Sequence, residues 1–130
     1  MNNGIIICTH GKTGIETLNS VEMILGPQSN IKAVEFLESC SPEDIMDKFN
    51  SKISEFTDVN NILFLVDIKG GTPFNVAVRY TLENKNAKIL TGVNIPMLIE
   101  AAMSKDANSI EDLAKLAKEA AIMSIEEVVL

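Results

Sequence analysis

Apolar residues in this chain gather into four short continuous blocks, separated by stretches in which they recur at helical spacing. Residues 4–9, GIIICT, form a largely β-branched run, the pattern of a strand buried on both faces of a parallel sheet. Residues 31–37, IKAVEFL, alternate and read as a second strand nearer a sheet edge. Residues 61–66, NILFLV, are a third, strongly apolar strand that stops at Asp67, and residues 87–91, AKILT, a short fourth. The intervening segments carry helix signals. Thr13-Gly14-Ile15-Glu16 has the S/T-x-x-E form of a capping box. Ile15, Leu18, Val21 and Leu25 follow at helical spacing until Gly26-Pro27 ends the helix. Ser41-Pro42-Glu43-Asp44 supplies an N-cap, a proline at the first helical position and an acidic first turn, and Ile45, Phe49, Ile53 and Phe56 mark one face. Thr72-Pro73 opens a third helix as N-cap and first residue, with Phe74, Val76, Ala77, Val78 and Leu82 as packing residues. Asn94-Ile95-Pro96 starts a fourth helix that runs to about Met103. Ser109 caps a fifth, with Ile110, Leu113, Ala117 and Ala120 on one face. The tail SIEEVVL fits either a frayed helix end or a short edge strand.

Strands and helices that alternate in this way predict an α/β three-layer sandwich with a mainly parallel sheet and right-handed crossovers, in the flavodoxin-like order 2-1-3-4. The 130 residues suit one domain, 1–130, without repeats or linkers. Ligands of such sheets bind beyond the carboxyl ends of the strands, where the strand order reverses. Here that point lies between the first and third strands, and the residues leaving them are His10 and Asp67.

His10 is the only histidine in the chain. An unperturbed imidazole has a pKa of about 6.5 and is a nucleophile near neutral pH. A carboxylate on one ring nitrogen fixes the tautomer, leaves the other nitrogen's lone pair free and stabilises the positive ring that forms on attack. An electrophile held nearby needs an anion site, and helix N-termini attract phosphate through free N–H groups and the helix dipole. Two helix starts qualify, one at Thr13 and one at Thr72-Pro73. Gly11, Gly70 and Gly71 allow backbone amides to approach closely. These residues, with Thr72, form a candidate phosphate cradle with no metal ion. Each also has an ordinary structural role open to it: Asp67 as a loop cap, Gly70-Gly71 as a turn, Thr72 as an N-cap only. Lys12 and Lys69 read as solvated loop lysines, and Met23, Met46, Met97 and Met103 as core fillers.

Composition narrows the classes. The net charge of −7 argues against nucleic acid, which demands a basic footprint, and against anionic membrane surfaces. No apolar run approaches the roughly 20 residues of a membrane span, and the start MNNGIIICTHG lacks a signal peptide's basic region. A cytoplasmic chain is the expectation. Cys8 and Cys40 form no CxxC pair. Cys8 reads as a small buried hydrophobe, and one histidine with no second cysteine nearby does not make a zinc site. No cofactor is implied.

The stretches THG at 9–11, VEMILG at 21–26, LFLVDIKGGTPFN at 63–75 and GVNIPML at 92–98 together resemble the enzyme IIA component of the mannose, fructose and sorbose family of the bacterial phosphoenolpyruvate:sugar phosphotransferase system. The resemblance spans the whole chain. It implies that His10 accepts a phosphoryl group from the phosphocarrier protein HPr and passes it to enzyme IIB, which phosphorylates sugar entering through membrane subunits IIC and IID. It implies Asp67 as the supporting carboxylate and Gly71, Thr72 and Phe74 as surroundings of the phosphohistidine. It also implies a homodimer that exchanges a C-terminal strand, here residues 125–130. Lys69 departs from the aromatic or apolar residue of many relatives, and the chain carries no IIB domain after its tail, so a separate IIB is expected. The alternatives are a phosphotransfer subunit of a dihydroxyacetone kinase and a phosphorylation-dependent regulatory module. A signalling receiver would need an acidic pair where Thr9-His10 stands.

Overall fold

The computed structural model describes residues 2–130. These form β1 (Asn3–His10), α1 (Thr13–Leu25), β2 (Ile31–Phe36), α2 (Pro42–Ser54), β3 (Asn61–Val66), α3 (Thr72–Glu83), β4 (Ala87–Leu90), α4 (Ile95–Met103) and α5 (Ile110–Met123). All four strands are parallel, in the order β2-β1-β3-β4, which is the predicted topology. The two central strands are buried along their whole length except at His10, because helices cover both sheet faces. Successive side chains of a strand point to opposite faces, and the core divides accordingly. Ile5, Ile7, Leu63 and Leu65 pack under α1, α4 and α5. Ile6, Cys8, Ile62 and Phe64 pack under α2 and α3, where Phe64 lies 4.9 Å from Phe49 and 5.2 Å from Tyr80, ring centre to ring centre. At the amino ends of the strands, Asn3 is buried but fully engaged. Its Nδ2 donates to the Lys105 and Ala107 carbonyls, and its Oδ1 accepts from Asn61 Nδ2.

The helix caps follow the sequence signals at three of five starts. Ser41 and Asp44 form a reciprocal capping box, and Asn94 and Ser109 accept from Met97 and Asp112. The other two starts differ. The predicted box at Thr13-Glu16 does not form, because Thr13 is already inside α1 and Lys12 occupies the N-cap with no side-chain cap bond. The cap comes instead from β1: Thr9 Oγ1 accepts from the Gly14 N–H at 2.7 Å. Helix α3 begins one residue earlier than expected, with Gly71 as N-cap and Thr72 as first residue.

Some packing expectations also need correction. Met23, Met103 and Leu82 are not core residues but 90%, 70% and 79% exposed, since each lies on the outward side of its helix. Met97 is buried and Met46 packs against the core as expected. On α5 the buried stripe runs through Ala121 rather than Ala120, four residues after Ala117, as a 3.6-residue period requires. Phe56 lies beyond the end of α2 yet still packs on the same core as Ile45, Phe49 and Ile53. Residues 125–130 form no strand within this chain, and Ile125, Val128, Val129 and Leu130 are exposed. The described sheet has four strands, and residues 125–130 pair with none of them.

Candidate functional site

Strand β1 ends at His10, and β3 ends one residue before Asp67. The two strands are hydrogen-bonded neighbours with Cys8 opposite Val66, so both side chains emerge at the same edge of the sheet although 57 residues separate them. Asp67 Oδ2 lies 2.8 Å from His10 Nδ1 and accepts the His10 backbone N–H at 2.9 Å. Its other oxygen, Oδ1, accepts the Ile68 N–H at 3.0 Å. The Asp67 backbone carbonyl in turn accepts from Gly92, which ties the carboxylate to the loop after β4. Burial pushes the Asp67 carboxyl up, but the backbone N–H and ring of His10, its charge and the Ile68 N–H outweigh that and hold it below the usual carboxylate range. An ionised carboxylate only accepts hydrogen bonds. In a neutral ring, the proton therefore sits on Nδ1, and Nε2 keeps its lone pair. The His10 side chain is 47% exposed, so a docking macromolecule can reach it.

The start of α3 lies against this ring. A Cβ built on Gly71 would fall 2.8 Å from His10 Cε1 and 3.5 Å from Nε2; only glycine allows the helix to begin so close. Gly70, with φ +88°, makes the turn into the helix, and its carbonyl accepts from Asn75 Nδ2. The N–H groups of Thr72 and Phe74 have no acceptor among the described residues, as expected for a first helical turn. They carry the positive end of the helix dipole beside Nε2. Thus Gly70, Gly71, Thr72 and Phe74 lie together at the α3 start next to the His10 ring, with the Thr72 and Phe74 N–H groups unpaired among the described residues.

The α1 start is less open. Thr9 occupies the Gly14 N–H, and the N–H of Gly11, a residue with φ +61°, donates to the Phe36 carbonyl at 2.8 Å. Gly11 supplies the turn rather than a free donor. Cys8 lies near the site but is buried, and burial pushes its thiol up to about 12, which removes it as a competing nucleophile. Lys12 and Lys69 are exposed and form no ion pair among the described residues.

Two site residues escaped the sequence reading. Thr9 reads from the sequence as the end of a strand and part of the THG stretch, with no sign that it caps α1. Replacing Thr9 with valine keeps the shape and leaves the Gly14 N–H buried without an acceptor. We expect stability to fall by about 1 kcal/mol, the usual worth of a cap, read as a lower urea midpoint at unchanged slope; an unmoved midpoint would deny Thr9 that role. The second is Phe36, the last residue of β2, whose ring meets the imidazole edge-on at 5.3 Å with an interplanar angle of 82°.

Similarity to known proteins agrees with this fold. The family model described as PTS system fructose IIA component matches residues 4–118. The mannose-specific EIIAB component of Escherichia coli K12 is 37% identical over 120 residues, which are 92% of this chain and 37% of that protein; the chain thus spans little more than a third of that relative. The fructose-specific EIIA component of Bacillus subtilis is 32% identical over 109 residues, 84% of this chain and 75% of that one. Among solved structures, a phosphotransferase system EIIA from Streptococcus agalactiae superposes with a TM-score of 0.88 at 31% identity, with 96% of each chain covered. The mannose/sorbose IIA subunit from Enterococcus faecalis gives 0.89 at 28% identity, covering 100% of this chain and 97% of that one. With a matching four-stranded sheet and family model, the chain belongs to the enzyme IIA family of the sugar phosphotransferase system that includes mannose, fructose and sorbose components.

Proposed function

We infer that this chain is a cytoplasmic phosphoryl carrier, which receives a phosphoryl group from phospho-HPr on His10 and delivers it to enzyme IIB. The observation that carries the reading is the 2.8 Å pairing of His10 Nδ1 with Asp67, which leaves the Nε2 lone pair available beside the open α3 start. In the forward step Nε2 attacks the phosphorus of the donor's phosphohistidine. The new P–N bond forms as the old one breaks, and the old bond's electron pair returns to the donor nitrogen. The positive charge that develops on the His10 ring is offset by Asp67, and the phosphoryl oxygens face the N–H groups of Thr72 and Phe74, with Gly70 and Gly71 shaping the corner. The second transfer reverses these roles, with the enzyme IIB side chain as nucleophile. Catalysis of this kind rests on positioning and charge stabilisation. The same open face serves both partners in turn, so each encounter is brief and its interface small. Membrane subunits IIC and IID lie further downstream. No described helix is long and apolar enough to cross a membrane. The exposed apolar tail and the exposed Ile122 and Met123 of α5 fit a homodimer in which residues 125–130 pair with a second copy.

The test is reconstitution with ³²P-phosphoenolpyruvate, enzyme I and HPr. One acid-labile, base-stable phosphoryl group per chain is expected, discharged on addition of the matching IIB. No HPr-dependent label overturns the carrier reading, and a label that no IIB discharges overturns the transport role.

A further inference from the structure

We propose that Phe36 is a positioning residue that holds the His10 imidazole in its transfer-competent orientation. The inference rests on the carrier reading above and extends it to a residue outside the His10–Asp67 pair. A single bond from Nδ1 to Asp67 fixes the tautomer only while it is made, and with nearly half the side chain facing solvent it leaves the ring free to rotate out of that bond. Two further contacts remove that freedom. The backbone at Gly71 lies so near the ring that an added Cβ would fall 2.8 Å from Cε1, which bounds the ring on that side, and Phe36 packs on it in a T-shaped arrangement. They come from opposite directions, because β2 and β3 flank β1 on its two sides. Phe36 is itself held firmly. It is the register partner of His10, its carbonyl accepts the Gly11 N–H at 2.8 Å, and its side chain is half-buried against the core under α2 and α3. Aromatic pairs favour edge-to-face and offset arrangements over a face-to-face sandwich, and this pair adopts the first. In-line transfer depends steeply on where the attacking lone pair points, and small misplacements of a reacting atom lose much of the rate. A ring held at Nδ1, at Cε1 and by Phe36 keeps Nε2 aimed before either partner docks.

The experiment compares the wild-type chain with Phe36→Leu and Phe36→Tyr. Leucine keeps apolar bulk and removes the aromatic edge; tyrosine restores it. Because His10 is the sole histidine, long-range ¹H–¹⁵N spectra of ¹⁵N-labelled chain report its tautomer and ring averaging directly, with no donor protein. Wild type and Phe36→Tyr are expected to show one neutral tautomer protonated at Nδ1, and Phe36→Leu averaged shifts. In transfer from phospho-HPr, Phe36→Leu should lose about five- to tenfold in kcat with KM changed less than twofold, and Phe36→Tyr should stay within twofold of wild type. An unchanged ring spectrum in Phe36→Leu overturns the proposal, as does a loss confined to KM, which would make Phe36 a docking residue. If Phe36→Leu does not fold, Phe36→Met takes its place under the same criteria. If wild type takes no label from phospho-HPr, the carrier reading fails, while the spectra still decide whether Phe36 orients the ring.

Discussion

Replacing His10 with alanine is expected to reduce phosphoryl incorporation from phospho-HPr to background while the fold survives. The chemical reason is the absence of a substitute. The chain has no other histidine, and the nearby thiol of Cys8 is buried and pushed up to about 12, so it is not a thiolate at neutral pH. The structural reason is that the side chain is removed from an exposed rim. Asp67 loses its bond to the ring but keeps the backbone N–H groups of His10 and Ile68. An exposed pair of this type contributes about 0–1 kcal/mol, so the unfolding free energy should fall by no more than that, with a correspondingly small drop in the urea midpoint. Full labelling of the variant would show that the phosphoryl group sits elsewhere and would end the mechanism. Lost labelling together with a collapsed midpoint would instead show that alanine had damaged the scaffold, contrary to the exposure of the ring.

The central pair could be read from the sequence because it follows from topology. Continuous apolar runs at residues 4–9 and 61–66, too short for helices and bounded by turn residues, read as strands covered on both faces, and parallel neighbours bring their carboxyl ends together. His10 and Asp67 are the first polar side chains beyond those runs, so their meeting required no knowledge of side-chain packing. What remained hidden depended on contacts between elements. Thr9 caps α1 from the preceding strand, while local spelling pointed to Thr13. A capping box is a pattern within four residues, and the sheet supplied a better-placed hydroxyl five residues before Gly14. Phe36 needs the exact register between β1 and β2 to be seen as the neighbour of His10. The tail, IEEVVL, alternates too imperfectly to declare itself, and it forms no strand within this chain. Met23, Met103 and Leu82 are apolar in type but fall on the outward phase of their helices, which residue type alone does not reveal.

Removing the Asp67 carboxylate is expected to slow transfer about 10- to 100-fold in kcat without unfolding the chain. Hydrogen bonds to charged groups contribute about 1.5–3 kcal/mol, and each 1.4 kcal/mol is a factor of ten in rate. Asp67→Ala and Asp67→Asn test different parts of that estimate. Aspartate offers two acceptor oxygens to three donors: the His10 ring, the His10 N–H and the Ile68 N–H. Asparagine has one acceptor oxygen. If that oxygen serves His10, its amide NH₂ group faces the Ile68 N–H, donor against donor. If it serves Ile68, the NH₂ group faces the His10 N–H and Nδ1, and the tautomer is inverted. Either way asparagine lacks the charge that offsets the positive ring during transfer, so it should be no more than a few-fold better than alanine. The pH dependence has a fixed sign. Asp67 is held below its ordinary value in the folded chain, so its contribution to stability is complete above the unfolded carboxylate's pKa of about 3.9 and is lost as pH falls through the lower folded value. The difference in unfolding free energy between wild type and Asp67→Asn should therefore not shrink between pH 7 and about 5, and should be lost only in acid, below about pH 4. A difference that already shrinks between pH 7 and 5 would mean that the carboxyl is protonated there and cannot direct the imidazole. Transfer by Asp67→Ala at the wild-type rate would remove the carboxylate from the mechanism even with His10 as the carrier.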